Sequence, residues 1–212
     1  MTASVNLWSE SAWAQRYLRE RDDIPHRMEG FVALMEQVPV APRRVLDLGT
    51  GDGYTLGLVR SVYPEAEGIG IDFSAEMLGR ARQRFAGDDG VEIIEHDLDA
   101  SLPQFGRFDL VVSSFAIHHC VDERKRALYR EVFDVLEPGG RFLNLEHVDS
   151  ATPELHVDFL AAIGKTPAED DPSNKLVPVE VQLGWLHEIG FVQVDCHWKW
   201  RELALLAGVK PG

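Results

Sequence analysis

The hydrophobic rhythm of the chain changes at about residue 40. Before that point apolar residues recur at helical spacing. Trp13, Tyr17 and Leu18 share one face of residues 10–21, and Phe31, Leu34 and Met35 one face of residues 26–36, with Ile24-Pro25 interrupting between them. After Pro39 and Pro42, short apolar runs alternate with helical stretches. The runs predict strands at residues 43–48, 67–71, 91–95, 108–113 and 141–146, with helices at 54–62, 75–85 and 122–136 between them. Ser74 stands where an N-cap of the second helix belongs, with Glu76 in its first turn. Pro138-Gly139-Gly140 predicts a hard stop after the third. Such alternation means a mostly parallel sheet with helices on both faces and ligands at the carboxyl ends of the strands.

The pattern breaks at residues 149–179. Pro153, Pro167, Pro172 and Pro178 and the acidic cluster Glu169-Asp170-Asp171 predict an insertion lying over the strand ends, helical at 154–163. A further helix follows at 179–189. Two strand-like runs, 191–198 and 202–209, are separated only by Lys199-Trp200-Arg201, so they must pair antiparallel.

The chemistry is announced by Val45-Leu46-Asp47-Leu48-Gly49-Thr50-Gly51-Asp52-Gly53. A buried strand ends, and three glycines at alternate positions open a helix. Glycine tolerates φ > 0 and lets a ligand approach the backbone, and the helix start offers unpaired N–H groups. Asp72 comes 19 residues after Gly53, at the end of the second apolar run, where an acid suits a ribose diol. A nucleoside-bearing cofactor follows. The spacing differs from the G-x-G-x-x-G of dinucleotide folds, since Tyr54 stands three residues after Gly51. Asp47 at the entrance of the turn would repel a pyrophosphate and favour a cationic moiety.

The Asp-x-Gly-x-Gly-x-Gly pattern resembles motif I of the class I S-adenosylmethionine (SAM) methyltransferases, and further motifs follow in that family's order. Asp72 matches its ribose-binding acid, Asp97-Leu98 its adenine-reading position, Phe108 to Ser114 its fourth strand, and Val135-Leu136-Glu137-Pro138-Gly139-Gly140 the turn before its fifth. The resemblance covers about residues 8–210. It implies a Rossmann-like α/β fold, a seven-stranded sheet with a reversed last strand, in a single domain over residues 1–212 with a helical N-terminal lid at 1–40. It also implies SAM as cofactor, bound by Arg27, Asp47, Gly49, Thr50, Gly51, Gly53, Asp72, Phe73, Met77, Asp97, Leu98 and Ser114. Arg27 would lie near the methionine carboxylate and Ser114 beside the methionyl part. Within the family, the chain is similar to a group of small-molecule methyltransferases that includes the tRNA wobble-uridine carboxymethyltransferase. The shared features are the Ile-Pro element, Leu186 to Phe191, and the aromatic hairpin Cys196-His-Trp-Lys-Trp200. Where that carboxymethyltransferase carries an arginine for an extra carboxylate, this chain has Trp185, which favours ordinary SAM.

Composition narrows the substrate. With 35 acids against 21 bases, the net charge of −14 argues against a nucleic-acid partner and for a small molecule. The chain has no apolar run long enough to span a membrane and no basic-then-apolar leader, and its two cysteines suit a reducing compartment, so a cytoplasmic enzyme is expected. A homodimer is compatible with the sequence.

Methyl transfer from a sulfonium needs an aligned nucleophile, exclusion of water and, for a hydroxyl or amine, a base. His118 and His119 follow the fourth strand in Phe115-Ala-Ile-His-His-Cys120, where the transferred methyl sits in this fold, and His119 is the favoured base. Glu146-His147 reaches the same rim, but the spacing of these groups supports no metal. Tyr17, Trp185 and His147 are the candidate substrate contacts, within an aromatic-lined pocket also drawing on Trp8, Trp13, Trp198 and Trp200. The reading is a SAM-dependent methyltransferase acting on oxygen or nitrogen of a small molecule. The alternatives are a tRNA-modifying methyl or carboxymethyl transferase and a non-catalytic SAM-binding module.

Overall fold

A computed structural model describes residues 24–212. Tyr17, Trp8, Trp13 and the first part of the expected lid lie outside the described residues. The remainder of that segment is helix α1 (Arg27–Gln37). The chain then runs β1 (Arg44–Leu48), α2 (Tyr54–Val62), β2 (Glu67–Asp72), α3 (Ala75–Arg84), β3 (Val91–Glu95) and β4 (Phe108–Ser114). A 3₁₀ turn (Ile117–His119) leads into α4 (Asp122–Val135), β5 (Leu136–His147), α5 (Pro153–Ala162), α6 (Val179–Ile189), β6 (Val192–Trp200) and β7 (Leu203–Val209).

The sheet has the order β3-β2-β1-β4-β5-β7-β6, with β7 antiparallel to both of its neighbours. The first five strands are parallel, as βαβ crossovers require. Period-2 alternation sends side chains to two cores. Val45, Leu110, Val112, Leu143 and Leu145 meet Phe31 and Leu34 of α1 and Leu56 and Val59 of α2. Leu46, Leu48, Val111 and Phe142 meet Leu128, Tyr129 and Val132 of α4 and Leu186 of α6. Each fully buried aliphatic side chain contributes about 1.5–3 kcal/mol, so both helical layers are firmly held to the strands that carry the turns.

Three local expectations are revised. α4 stops at Val135, ahead of Pro138 as expected, but β5 begins at once at Leu136 rather than at 141 and carries Pro138 to Gly140 within it. Gly139 at φ +80° lets that stretch trade backbone hydrogen bonds with Lys210, Gly139 N–H to its carbonyl and Lys210 N–H to the Gly140 carbonyl, each at 2.9 Å. Ser74 occupies the N-cap position of α3, but its side chain makes no capping bond. Its backbone N–H instead donates to Asp72 Oδ1 at 2.8 Å. β6 extends to Trp200, leaving Arg201, at φ +50°, and Glu202 as the link to β7.

The segment at 149–179 lies over the strand ends. Its end is tied down by a buried polar chain: Asn144 donates to the Tyr129 hydroxyl, which donates to Gln182, which donates to the Val177 carbonyl. Lys125, buried on α4, reaches the Lys175 carbonyl, and Lys175 N–H donates to the His118 carbonyl at 2.9 Å. The insertion is thus clamped against the turn that bears the two histidines.

Candidate active site

A cleft lies at the carboxyl ends of β1, β2, β3 and β4, with about 870 Å³ of empty space including its open mouth. Its floor is the glycine turn. Gly49, Gly51 and Gly53 have φ of +67°, +56° and +79°, all left-handed. A Cβ at Gly49 would stand 2.2 Å from the Ala116 Cβ, so glycine is needed there for packing between two turns. A Cβ at Gly51 would meet no atom within 4 Å, so glycine there keeps the cleft floor clear.

Acids shape the turn from behind. Asp47 is fully buried and accepts from the Thr50 hydroxyl at 2.7 Å. Burial lifts its carboxyl to about 7, against the pull of the Thr50 hydroxyl and the Leu56 amide. Asp72 accepts from Gly51 N–H at 2.9 Å and from Ser74 N–H, yet burial still raises it. Asp52, Asp97 and Asp99 also face the cleft. A cationic ligand would relieve this crowding of negative charge; a pyrophosphate would worsen it.

Of the expected cofactor residues, Arg27, Gly49, Thr50, Gly51, Asp72, Phe73, Met77, Asp97, Leu98 and Ser114 all line this cleft. Asp47 and Gly53 lie behind it, in the turn itself. Ser114, ending β4, shares a hydrogen bond with the Thr55 hydroxyl at 2.7 Å. Arg27, at the start of α1, is buried with its guanidinium 4.9 Å from the Phe115 ring and 5.2 Å from that of Phe31. Phe115 follows β4 in the left-handed region at φ +52°, a strained position for an aromatic residue. Cys120 also reaches the cleft, but burial pushes its thiol up to about 12, which makes it inert.

A second cavity, about 690 Å³ including its mouth, adjoins the first. Its apolar side is Ile24, Phe115, Phe159, Leu160, Ile163 and Leu203. Its polar lining is His118, His119, His147, Asp170, Asp171 and Asn174, with Lys165. Arg27, Phe115 and His119 line both cavities, so they form the partition.

The two histidines are held differently. His118 Nδ1 lies 2.6 Å from Glu146 Oε1, which also accepts from His147 N–H at 2.9 Å. Burial lowers His118 well below its usual range, with His147 adding to the effect, and raises Glu146 to about 7. His119 Nδ1 lies 3.0 Å from Ser173 Oγ, which donates to Asp171 Oδ1 at 2.7 Å. Burial and the neighbouring His118, whose ring centroid is 4.0 Å away, push His119 down to about 3. Both imidazoles are therefore neutral near pH 7, each with a lone pair on one ring nitrogen.

The aromatic residues are placed otherwise than the sequence suggests. Trp185 lies on α6 with its ring edge-on to Tyr129, 6.4 Å between centroids, and lines neither cavity. Burial of α6 against α4 claims it. Trp198 packs beneath Gly30 of α1, where a Cβ would stand 2.9 Å from its ring, and Trp200 stacks on His26 at 4.7 Å. Both fasten α1 to the sheet edge. The aromatic residues of the second cavity are Phe115 and Phe159 instead, and His147 also lines it. Sequence reading missed Asp171 and Ser173 as partners of His119, and the buried Glu202, which accepts from His147, His156 and Ser150. No spacing rule links residues 46 to 55 positions apart.

Comparisons with known proteins decide the family. Residues 45–140 match the model of a methyltransferase domain. The chain is 31% identical over 193 residues to the demethylmenaquinone methyltransferase of Clavibacter sepedonicus, covering 82% of this chain and 76% of that one. The chain belongs to the class I SAM-dependent methyltransferases. It is also 29% identical over 154 residues to the malonyl-[acyl-carrier protein] O-methyltransferase of Methylococcus capsulatus, covering 73% of this chain and 55% of that relative. Among solved structures, an O-methyltransferase family protein from Burkholderia thailandensis has the same fold, with a TM-score of 0.74 at 20% identity over 97% of this chain and 62% of that one. The chain thus spans little more than half the length of some of the proteins it matches.

SAM fits the first cavity of this methyltransferase. Its sulfonium and amine suit a cleft faced by aspartates, and the open floor at Gly51 leaves room for it beside the backbone. When bound, SAM supplies an electrophilic methyl group on a positively charged sulfur.

Proposed function

We propose that this methyltransferase carries the methyl group of SAM to an oxygen or nitrogen of a small molecule bound in the second cavity, with His119 as general base. The observation that carries the reading is the position of His119, which lines both cavities and so stands where donor and acceptor would meet. Asp72 would take the ribose hydroxyls, Asp97 and Leu98 the adenine, and Arg27 the methionyl carboxylate. Phe115, held in its strained conformation, would align acceptor and methyl and keep water out.

A hydroxyl acceptor gains most from a base, because its proton must leave as the new bond forms. The second cavity offers apolar lining for the acceptor's body and polar lining for the reacting group, the arrangement of a small-molecule site. His118, held by Glu146, would support the acceptor on the far side from the cofactor. The net charge of −14 counts against a nucleic-acid acceptor.

Mass spectrometry of the ligand released from purified protein tests the reading. SAM or S-adenosylhomocysteine, with a second small organic molecule, is the expected result. A carboxylated SAM or a dinucleotide would contradict it.

A further inference from the structure

The hydroxyl of Ser173 has a single proton and two polar neighbours. Its Oγ lies 2.7 Å from Asp171 Oδ1 and 3.0 Å from His119 Nδ1. A carboxylate only accepts, so the Oγ–Oδ1 contact is a bond only if the proton points at Asp171. Ser173 Oγ must then accept from His119, which requires the imidazole proton to be on Nδ1. With that proton on Nε2 instead, one of the two contacts would set lone pair against lone pair. The Ser173 carbonyl oxygen, 3.5 Å from Nδ1, is too far to fix the tautomer by itself, so the hydroxyl decides it.

The segment that carries these groups is fixed in place. Ser173 is buried, and its backbone N–H donates to Asp171 Oδ1 at 2.8 Å. The Lys175 ammonium reaches the His119 carbonyl, and Lys125 reaches the Lys175 carbonyl. The insertion therefore closes on the 3₁₀ turn with Ser173 aimed at one ring nitrogen.

We propose that Asp171 and Ser173 are positioning residues that hold neutral His119 as its Nδ1–H tautomer, so that Nε2 carries the lone pair which takes the acceptor's proton. The inference rests on His119 being the base, and extends that reading to how the base is kept ready. In the reaction, the acceptor O–H proton passes to Nε2 while the O–CH3 bond forms and the S–CH3 bond breaks, its electron pair returning to sulfur. The imidazolium so formed would be stabilised by Nδ1–H···Oγ–H···Oδ1 leading to the Asp171 carboxylate. Burial and His118 both oppose that imidazolium, so the relay supplies what the surroundings withhold.

The test is a long-range proton–nitrogen correlation spectrum of the ligand-free protein labelled with ¹⁵N-histidine, with His119 assigned from the His119→Gln spectrum. The Nδ1–H tautomer is expected in the parent, a switch to Nε2–H in Ser173→Ala, and retention of Nδ1–H in Ser173→Thr. An Nε2–H tautomer in the parent, or no change in Ser173→Ala, overturns the proposal. If Ser173→Ala does not fold, Asp171→Ala serves, since it frees the Ser173 proton to point at Nδ1 and should produce the same switch. In turnover, Ser173→Ala should lose about tenfold in the parent background and nothing further in His119→Ala. Losses that multiply would mean that Ser173 acts elsewhere. Unchanged turnover in His119→Ala would remove the base while leaving the tautomer result standing, so the two failures are distinct.

Discussion

The first cavity is walled by the loops that follow β1, β2, β3 and β4 and by the start of α1. The second is assembled from side chains delivered by distant stretches: the Ile24 region, the 115–119 turn, the end of β5, helix α5, the 170–174 strap and the start of β7. A cofactor common to a whole family can be met by fixed backbone geometry, whereas an acceptor must be met by side chains that vary. The polarity differs in kind as well. Acids surround the first cavity and are held at an energetic cost until a cation arrives. In the second, acids are paired with histidines.

The contrast breaks most sharply at the glycine turn. Gly49→Ala combines a left-handed φ with a 2.2 Å contact to Ala116, so a loss of about 3 kcal/mol or more is expected in urea unfolding. Gly51→Ala meets no neighbouring atom and should lose only about 1 kcal/mol, yet weaken SAM at least about tenfold because its methyl enters the cleft floor. Comparable stability losses in the two variants would remove the distinction between packing and clearance.

His119→Ala probes the partition from the acceptor side. Turnover should fall at least about tenfold with SAM affinity intact, measured by product formation and calorimetry.

The histidine–carboxylate network should reveal itself in pH. Burial pushes Glu202 up, but hydrogen bonds from His147, Ser150 and His156 outweigh it and lower its pKa. Burial pulls His156 down, but Glu202 and Asp170 outweigh it and raise its pKa. Glu202 thus contributes stability above the ordinary carboxylate pKa, lost as pH falls through its lowered value. His156 contributes stability below the ordinary imidazole pKa, lost as pH rises through its raised value. Glu202→Ala should therefore lose about 2 kcal/mol, most between about pH 4.5 and 6.5, with a smaller difference on either side. A pH-independent difference would mean that the network is held by packing alone.

Asp47 should behave in the opposite sense. Its carboxyl, lifted to about 7, makes the folded state bind the extra proton, so stability falls as pH rises from about 4 to 7. Asp47→Asn should raise the melting temperature of the ligand-free protein at pH 8 while weakening SAM. The smallest effect is expected at Trp185→Phe, about 1 kcal/mol in stability and under about twofold in either Michaelis constant, because Trp185 touches Tyr129 and neither cavity.

The same contrast explains how much was legible in the sequence. Loops at the carboxyl ends of strands carry local signatures, so Gly49 to Gly53, Asp72, Asp97 and Ser114 could be placed at the cleft from the sequence, and helices such as Tyr54–Val62 and Val179–Ile189 fell where their periodicity places them. His118 and His119 could be read because they directly follow β4. Their partners could not, since Ser173 reaches His119 across 54 positions and Glu202 reaches His147 across 55, contacts fixed by tertiary packing of an insertion with no repeating pattern. Trp185 misled because an aromatic residue on an amphipathic helix carries no mark of whether it faces a core or a pocket. The helix stopped ahead of Pro138 as expected, but the strand began at Leu136 rather than at 141, because pairing with Lys210 keeps that stretch in the sheet.

The division of labour between the cavities is tested most directly by titrating SAM calorimetrically into three ligand-free proteins: the parent, Gly51→Ala and His119→Ala. His119→Ala should bind SAM within about twofold of the parent while Gly51→Ala loses at least about tenfold. A large loss in His119→Ala, or unaltered binding in Gly51→Ala, would contradict the account.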